Sequence, residues 1–189
     1  LPVTDSGRVN RLNFPTTHPL FGTGPGIQDA DVILAVESLV PYQPLEGKPS
    51  PETKIVWVDV DPVQSRYKTM EFHADLWLPV SAATFATSVY EAATTMLTKS
   101  DMSRIETRRA RLHTKKRVQQ RILEDEVARV SGQNPIHPRW LSYQISKVME
   151  PDTIMIDDVV SYSGFVRGHH RRQLPGTYFK SGGSSGGFG

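Results

Sequence analysis

The chain has 189 residues with 22 basic and 20 acidic side chains, a formal charge of +2 that builds in no strong attraction to nucleic acid or to a membrane surface. The absence of cysteine excludes a disulfide framework and a thiolate metal site, and no apolar run approaches the roughly 18 residues that would span a bilayer. With 38% hydrophobic residues, 14 prolines and 14 glycines, it reads as one large or two small loop-rich domains of a cytoplasmic protein, whose first residue is not the natural start.

The first element is the run Val32 to Val36 in "DADVILAVESLV", bounded by Gly24, Pro25 and Gly26 before it and Pro41 after it. A short apolar run between such breakers predicts a strand buried on both faces. "TKIVWVDVDP" predicts a second strand over Ile55 to Val60, stopped by Pro62, and "ADLWLPV" a third. The intervening "VQSRYKTMEF" leaves room for a short helix or an irregular crossover. Ser81 then caps a helix in which Phe85, Val89, Ala92 and Met96 recur at helical spacing. Residues 1–98 thus read as half of a parallel α/β domain.

From Ser100 to Val130 the chain is charged and helix-prone, with Ser103 and Glu106 in capping-box spacing and Gly132 placed to end the helix. Bases dominate its first two-thirds, but no aromatic residue interleaves and "EDE" follows, so 99–134 reads as a solvated linker and not as a nucleic-acid surface. The last unit, 135–189, opens with a helix over "HPRWLSYQISKVM" and a strand over "TIMIDDVV" that ends in Asp157 and Asp158. A short helix over "SGFVRGHHRR", a turn at Leu174 to Gly176 and the terminal "TYFKSGGSSGGFG" complete it.

Open α/β sheets bind ligands beyond the carboxyl ends of their strands, so the residues after each strand are the candidates. Asp59 and Asp61 stand where a carboxylate accepts from a ribose, although capping of the strand end is the commoner use of Asp there. Ser161 and Ser163 follow the acidic pair at the start of a helix, a setting that suits a phosphate. The glycine-rich terminus lets the backbone approach closely and form an anion nest. Two such loops in one unit predict a diphosphate pocket. Gly182 to Gly186 also satisfies G-x-S-x-G with Ser184 as nucleophile, but that site needs an acid and a histidine after the serine, and only three residues follow the motif. "FGTGPG" precedes a strand instead of joining one to a helix, so it is no dinucleotide fingerprint. The histidines lack metal-ligand spacing.

Taken together, "RLNFPTTHPLFG", "DADVILAVESLVPYQP", "KIVWVDVDP" and "ADLWLPV" resemble the second half of the central domain of thiamine diphosphate-dependent enzymes of the acetolactate synthase and benzoylformate decarboxylase superfamily. The stretch from "HPRWLSYQ" to "GGSSGGFG" resembles the opening of their diphosphate-binding domain. The resemblance runs nearly end to end and implies two incomplete Rossmann-like units, α/β with parallel sheets flanked by helices, joined by a helical linker. It implies a parent enzyme, a lyase or transferase that uses thiamine diphosphate and Mg2+ on a 2-oxo acid and works as a homodimer or homotetramer. By position it places Val160 and Ser161 on the loop at the diphosphate, and Ser181, Gly182, Gly183 and Ser184 near the pyrimidine. The family's magnesium ligands and its catalytic glutamate match nothing in this chain, so the chain alone is expected to be inactive. FAD occurs in the synthase branch, but no motif here demands it. Gly186 stands where the family has a bulky apolar wedge. A nucleotide-binding α/β module without catalysis, or a basic helical scaffold, are the other readings.

Overall fold

The β-branched runs become strands because alternating Val, Ile and Trp side chains fit a pleated surface better than a helix. In the computed structural model, which describes residues 1–5, 11–38, 40–42, 47–63, 65 and 72–180, these strands are β1 (Val32–Val36), β2 (Lys54–Asp59) and β3 (Leu76–Pro79). They form one parallel sheet in the order β1-β2-β3, with Ala35 opposite Trp57 and Trp57 opposite Trp77. The helices are α1 (Ala82–Met96), α2 (Lys99–Val130), α3 (Pro138–Val148) and α4 (Ser163–His169). Strands β4 (Met155–Asp157) and β5 (Tyr178–Lys180) pair in parallel as a second sheet. The architecture is α/β with parallel strands flanked by helices, as the sequence predicts.

Two compact units divide the chain: Pro25–Glu106 forms one, and Leu1–Gly24 with Thr107–Gly189 the other. In the first, β2 is the central strand and carries the core, with Ile55, Trp57 and Val58 at 3%, 1% and 0% exposure. Trp57 stacks on Trp77 with ring centres 5.4 Å apart, and Phe72 and Tyr42 extend the aromatic cluster. β1 departs from expectation: Val32, Leu34 and Val36 are exposed, and of its five residues only Ala35 is buried. It lies at the edge of a three-stranded sheet, so one face alone meets the core.

Ser81 caps α1 as predicted, its hydroxyl accepting from the Thr84 N–H at 3.2 Å. The Glu37 carboxylate accepts from the Ala82 N–H at 2.9 Å, which sets an acidic group at the positive end of the helix. Glu37 holds a left-handed backbone, φ 45°, in the turn that leaves β1. The capping box of α2 falls five residues earlier than predicted. The helix begins at Lys99, Thr98 Oγ1 accepts from the Asp101 N–H, and Asp101 accepts in return from the Thr98 N–H and hydroxyl at 3.0 and 2.6 Å. Ser103 and Glu106 are therefore inside the helix, because Thr and Asp at the same spacing had already closed the turn.

In the second unit two basic side chains of α2, Lys115 and Lys116, turn out to be structural. Lys115 donates to the Gly24 carbonyl at 2.9 Å, Lys116 to the carbonyls of Thr16 and Phe21 at 2.9 and 3.0 Å, and Gln119 to that of Gly22 at 3.0 Å. Burial, and then the charge of Arg171, hold the Lys116 ammonium below its usual pKa. Three side chains of one helix thus satisfy loop carbonyls at Thr16, Phe21, Gly22 and Gly24. Pro138 opens α3 behind the His137 cap, and the Arg139 guanidinium pairs with Glu126 of α2 at 2.8 Å.

Candidate functional site

The C-terminal end of a parallel strand pair is where ligands of α/β sheets sit, and β4 and β5 define such an edge. Their register sets Met155 against Tyr178 and Asp157 against Lys180, so both strands end at the same level. The chain that follows β4 leaves from that end of the sheet. After β4 this chain carries Asp158, Val159, Val160 and Ser161 and then enters α4.

Asp157 organises the edge. It is 1% exposed; its Oδ2 accepts from the Tyr178 hydroxyl at 2.8 Å, and its Oδ1 accepts from the Val159 N–H at 3.0 Å. Burial, and then the hydrogen bond to Asp157, push the Tyr178 phenol well up from its usual pKa, so it stays a neutral donor. One carboxylate therefore ties the neighbouring strand to the loop. Backbone contact from the start of the chain covers β5 further: Leu12 donates to the Tyr178 carbonyl at 3.2 Å, and Arg11 bridges Phe179 in antiparallel fashion. Arg167 of α4 reaches both oxygens of Asp5 at 2.6 and 2.7 Å.

The structure leaves the predicted loop residues open. Val160 is 65% exposed and Ser161 is exposed beside it, and Ser163 is the first residue of α4, at the helix start where the sequence places it. α4 has seven residues and ends at His169, short of the predicted "HHRR". Ser181, Gly182, Gly183, Ser184 and Gly186 lie outside the described residues. Asp59 and Asp61 serve local turns: Asp59 accepts from the Asp61 N–H at 2.9 Å, and Asp61 accepts from the Ser65 N–H and hydroxyl at 3.0 and 2.7 Å. Their oxygens cap the end of β2, which is the commoner use of Asp there. Among the described residues no three His, Asp or Glu side chains converge as metal ligands, and no helix is long and apolar enough to cross a membrane.

Sequence reasoning missed β5 and the buried role of Asp157. The signal was the aromatic pair Tyr178 and Phe179, of which the first is 7% and the second 41% exposed, the alternation of a strand.

The fold defines a class: an α/β protein with parallel strands flanked by helices. Solved structures narrow this. The chain is similar to benzoylformate decarboxylase from Polynucleobacter necessarius, with a TM-score of 0.60 and 16% identity over 96% of this chain and 32% of that one. It is also similar to a protein of Mycobacterium smegmatis assigned to the thiamin diphosphate-dependent enzymes, with a TM-score of 0.52 and 16% identity over 96% of this chain and 33% of that one. At this identity the likeness is one of fold: the chain has the fold of a segment of thiamine diphosphate-dependent enzymes, and it spans about a third of their length. No protein-family model matches the sequence, and no curated protein matches it.

Proposed function

We propose that this chain is part of a thiamine diphosphate- and Mg2+-dependent enzyme that acts on a 2-oxo acid by decarboxylation or carboligation, with acetolactate synthase-like chemistry as a lyase or transferase. The observation that supports the reading is the parallel β4–β5 pair, whose two strands end level at Asp157 and Lys180. On this reading residues 1–98 are half of the central domain, 99–134 the connection and 135–189 the start of the diphosphate-binding domain.

When bound, thiamine diphosphate supplies a carbon nucleophile and an electron sink. The chain's own residues bind and orient it. The Ser161 hydroxyl and the backbone of Val160 would face the diphosphate, and Ser181, Gly182, Gly183 and Ser184 the pyrimidine. Asp157, through Tyr178 and the Val159 N–H, holds the first loop in place relative to the second strand. Exposed Ser161 on a loop anchored at its root is a donor that a diphosphate can reach without unfolding the sheet. The magnesium ligands and the catalytic groups belong to residues outside this chain, and no residue here calls for FAD. Assembly as a homodimer or homotetramer in the cytoplasm completes the proposal.

Calorimetric titration of thiamine diphosphate with Mg2+ into the full-length protein tests it, beside a Ser161→Ala, Gly182→Val double variant. Binding by the parent that disappears in the folded variant is the expected result. Failure of the intact, folded parent to bind the cofactor would overturn the reading and make Gly186 the mark of a lost site.

A further inference from the structure

Two adjacent histidines are buried where α4 passes into the chain that leads to β5. His169 is 6% and His170 4% exposed. Neither ring meets a partner suited to a positive charge. The Nε2 of His169 has no hydrogen-bond partner among the described residues, and its ring packs at 81° to that of Tyr143 on α3. His170 Nδ1 lies 3.1 Å from the Met149 Sδ, a weak acceptor.

The groups that face them add to the burial. Burial, and then the charges of Arg139 on α3, of Arg171 and of His170, hold His169 below its usual pKa, with Glu126 of α2 opposing. Glu126 is itself paired with Arg139. Burial also lowers the pKa of His170, with Asp157 of β4 opposing and Arg172 reinforcing. Asp157 already accepts from the Tyr178 hydroxyl and the Val159 N–H. Lys147 of α3 and Glu124 of α2 line the cleft of about 510 Å³ that both histidines border. A proton taken up by either ring thus makes a buried charge without a hydrogen bond to match it, a cost that the opened segment does not carry.

The segment is tied down by few bonds. Arg172 donates to the carbonyls of Glu150, Pro151 and Thr153. β5 has three residues, paired with β4 and bridged at Phe179 by Arg11. So short an attachment opens at a lower free energy than the whole unit.

We propose that residues 169–180 form an acid-sensitive switch, in which proton uptake by His169 and His170 releases the chain after α4 together with β5. Release takes the Tyr178 hydroxyl from Asp157 and so frees the loop that carries Val160 and Ser161. The switch itself does not rest on the thiamine diphosphate reading.

Hydrogen exchange of the full-length protein without cofactor tests it, with peptides from 169–180 set against peptides from α1 and each rate normalised to intrinsic exchange at that pH. The opened form binds up to two more protons than the closed one. Below about pH 6.5, until the buried rings themselves protonate, the opening equilibrium should therefore rise by as much as about 100-fold per pH unit. His169→Gln or His170→Gln should each reduce that to roughly tenfold, and the double variant should abolish it. α1, which contains no histidine, should not follow. The slope of the unaltered protein decides the matter even if the double variant fails to fold. A rise below about tenfold between about pH 6.5 and 5.5, an equal rise in α1, or a rise that the folded double variant keeps would overturn the proposal.

Discussion

Replacing Tyr178 with Phe removes one oxygen and leaves the aromatic ring in place, which isolates the bond that ties β5 to the loop after β4. Tyr178 is 7% and Asp157 1% exposed, so water cannot replace the lost hydroxyl at the Asp157 Oδ2 that it reaches at 2.8 Å. Hydrogen bonds to charged groups contribute about 1.5–3 kcal/mol, and a buried carboxylate left short of a donor places this one toward the upper end. Equilibrium urea unfolding of the full-length protein, followed by fluorescence, should show a lowered midpoint with an unchanged slope. A cycle with Asp157→Asn and the double variant should return a coupling of about 1 kcal/mol or more, since the two side chains touch. Because the Val159 N–H shares the same carboxylate, loss of the bond should also loosen the Val160–Ser161 loop. A destabilisation below about 0.5 kcal/mol, or additive single variants, would refute the idea that Asp157 and Tyr178 act as one latch.

Trp57→Ala removes the largest fully buried side chain of the β1-β2-β3 unit and should cost about 3–5 kcal/mol in urea unfolding. Trp57→Phe should cost less, because it also removes an indole N–H that has no partner among the described residues. Burial lowers the pKa of both His169 and His170, so the unfolded chain takes up protons that the folded chain refuses. Stability should therefore fall as pH drops below the ordinary histidine value of about 6.5, and the His169→Gln, His170→Gln variant should flatten that slope in urea titrations at several pH values. The Thr98 hydroxyl and N–H, and then Arg104, hold the Asp101 carboxyl at about 2. This cap is complete above the ordinary Asp value and is lost as pH falls toward 2; a carboxyl carbon titration should move back up in Thr98→Ala.

Local chemistry was legible in the sequence. Val, Ile and Trp in "TKIVWVDVDP" specify a strand, Ser81 caps a helix through its own hydroxyl, and Pro138 starts one, because these preferences act over a few residues. The parallel α/β class and the resemblance of whole segments to thiamine diphosphate-dependent enzymes followed from the same runs taken in order. What the sequence did not reveal depends on residues far apart in the chain. Asp157 reads as a free strand-end acid until Tyr178, 21 positions later, is seen to donate to it. Lys116 reads as one charge of a solvated helix until the carbonyls of Thr16 and Phe21, 100 and 95 positions earlier, are found beneath it. The clustering of His169, Arg171 and Arg172 in a cleft with Lys147 and Glu124 has no periodicity to announce it. Pattern and capping propensity fix which elements form, whereas pairing and the burial of a charge are decided by contacts that exist only once those elements have packed.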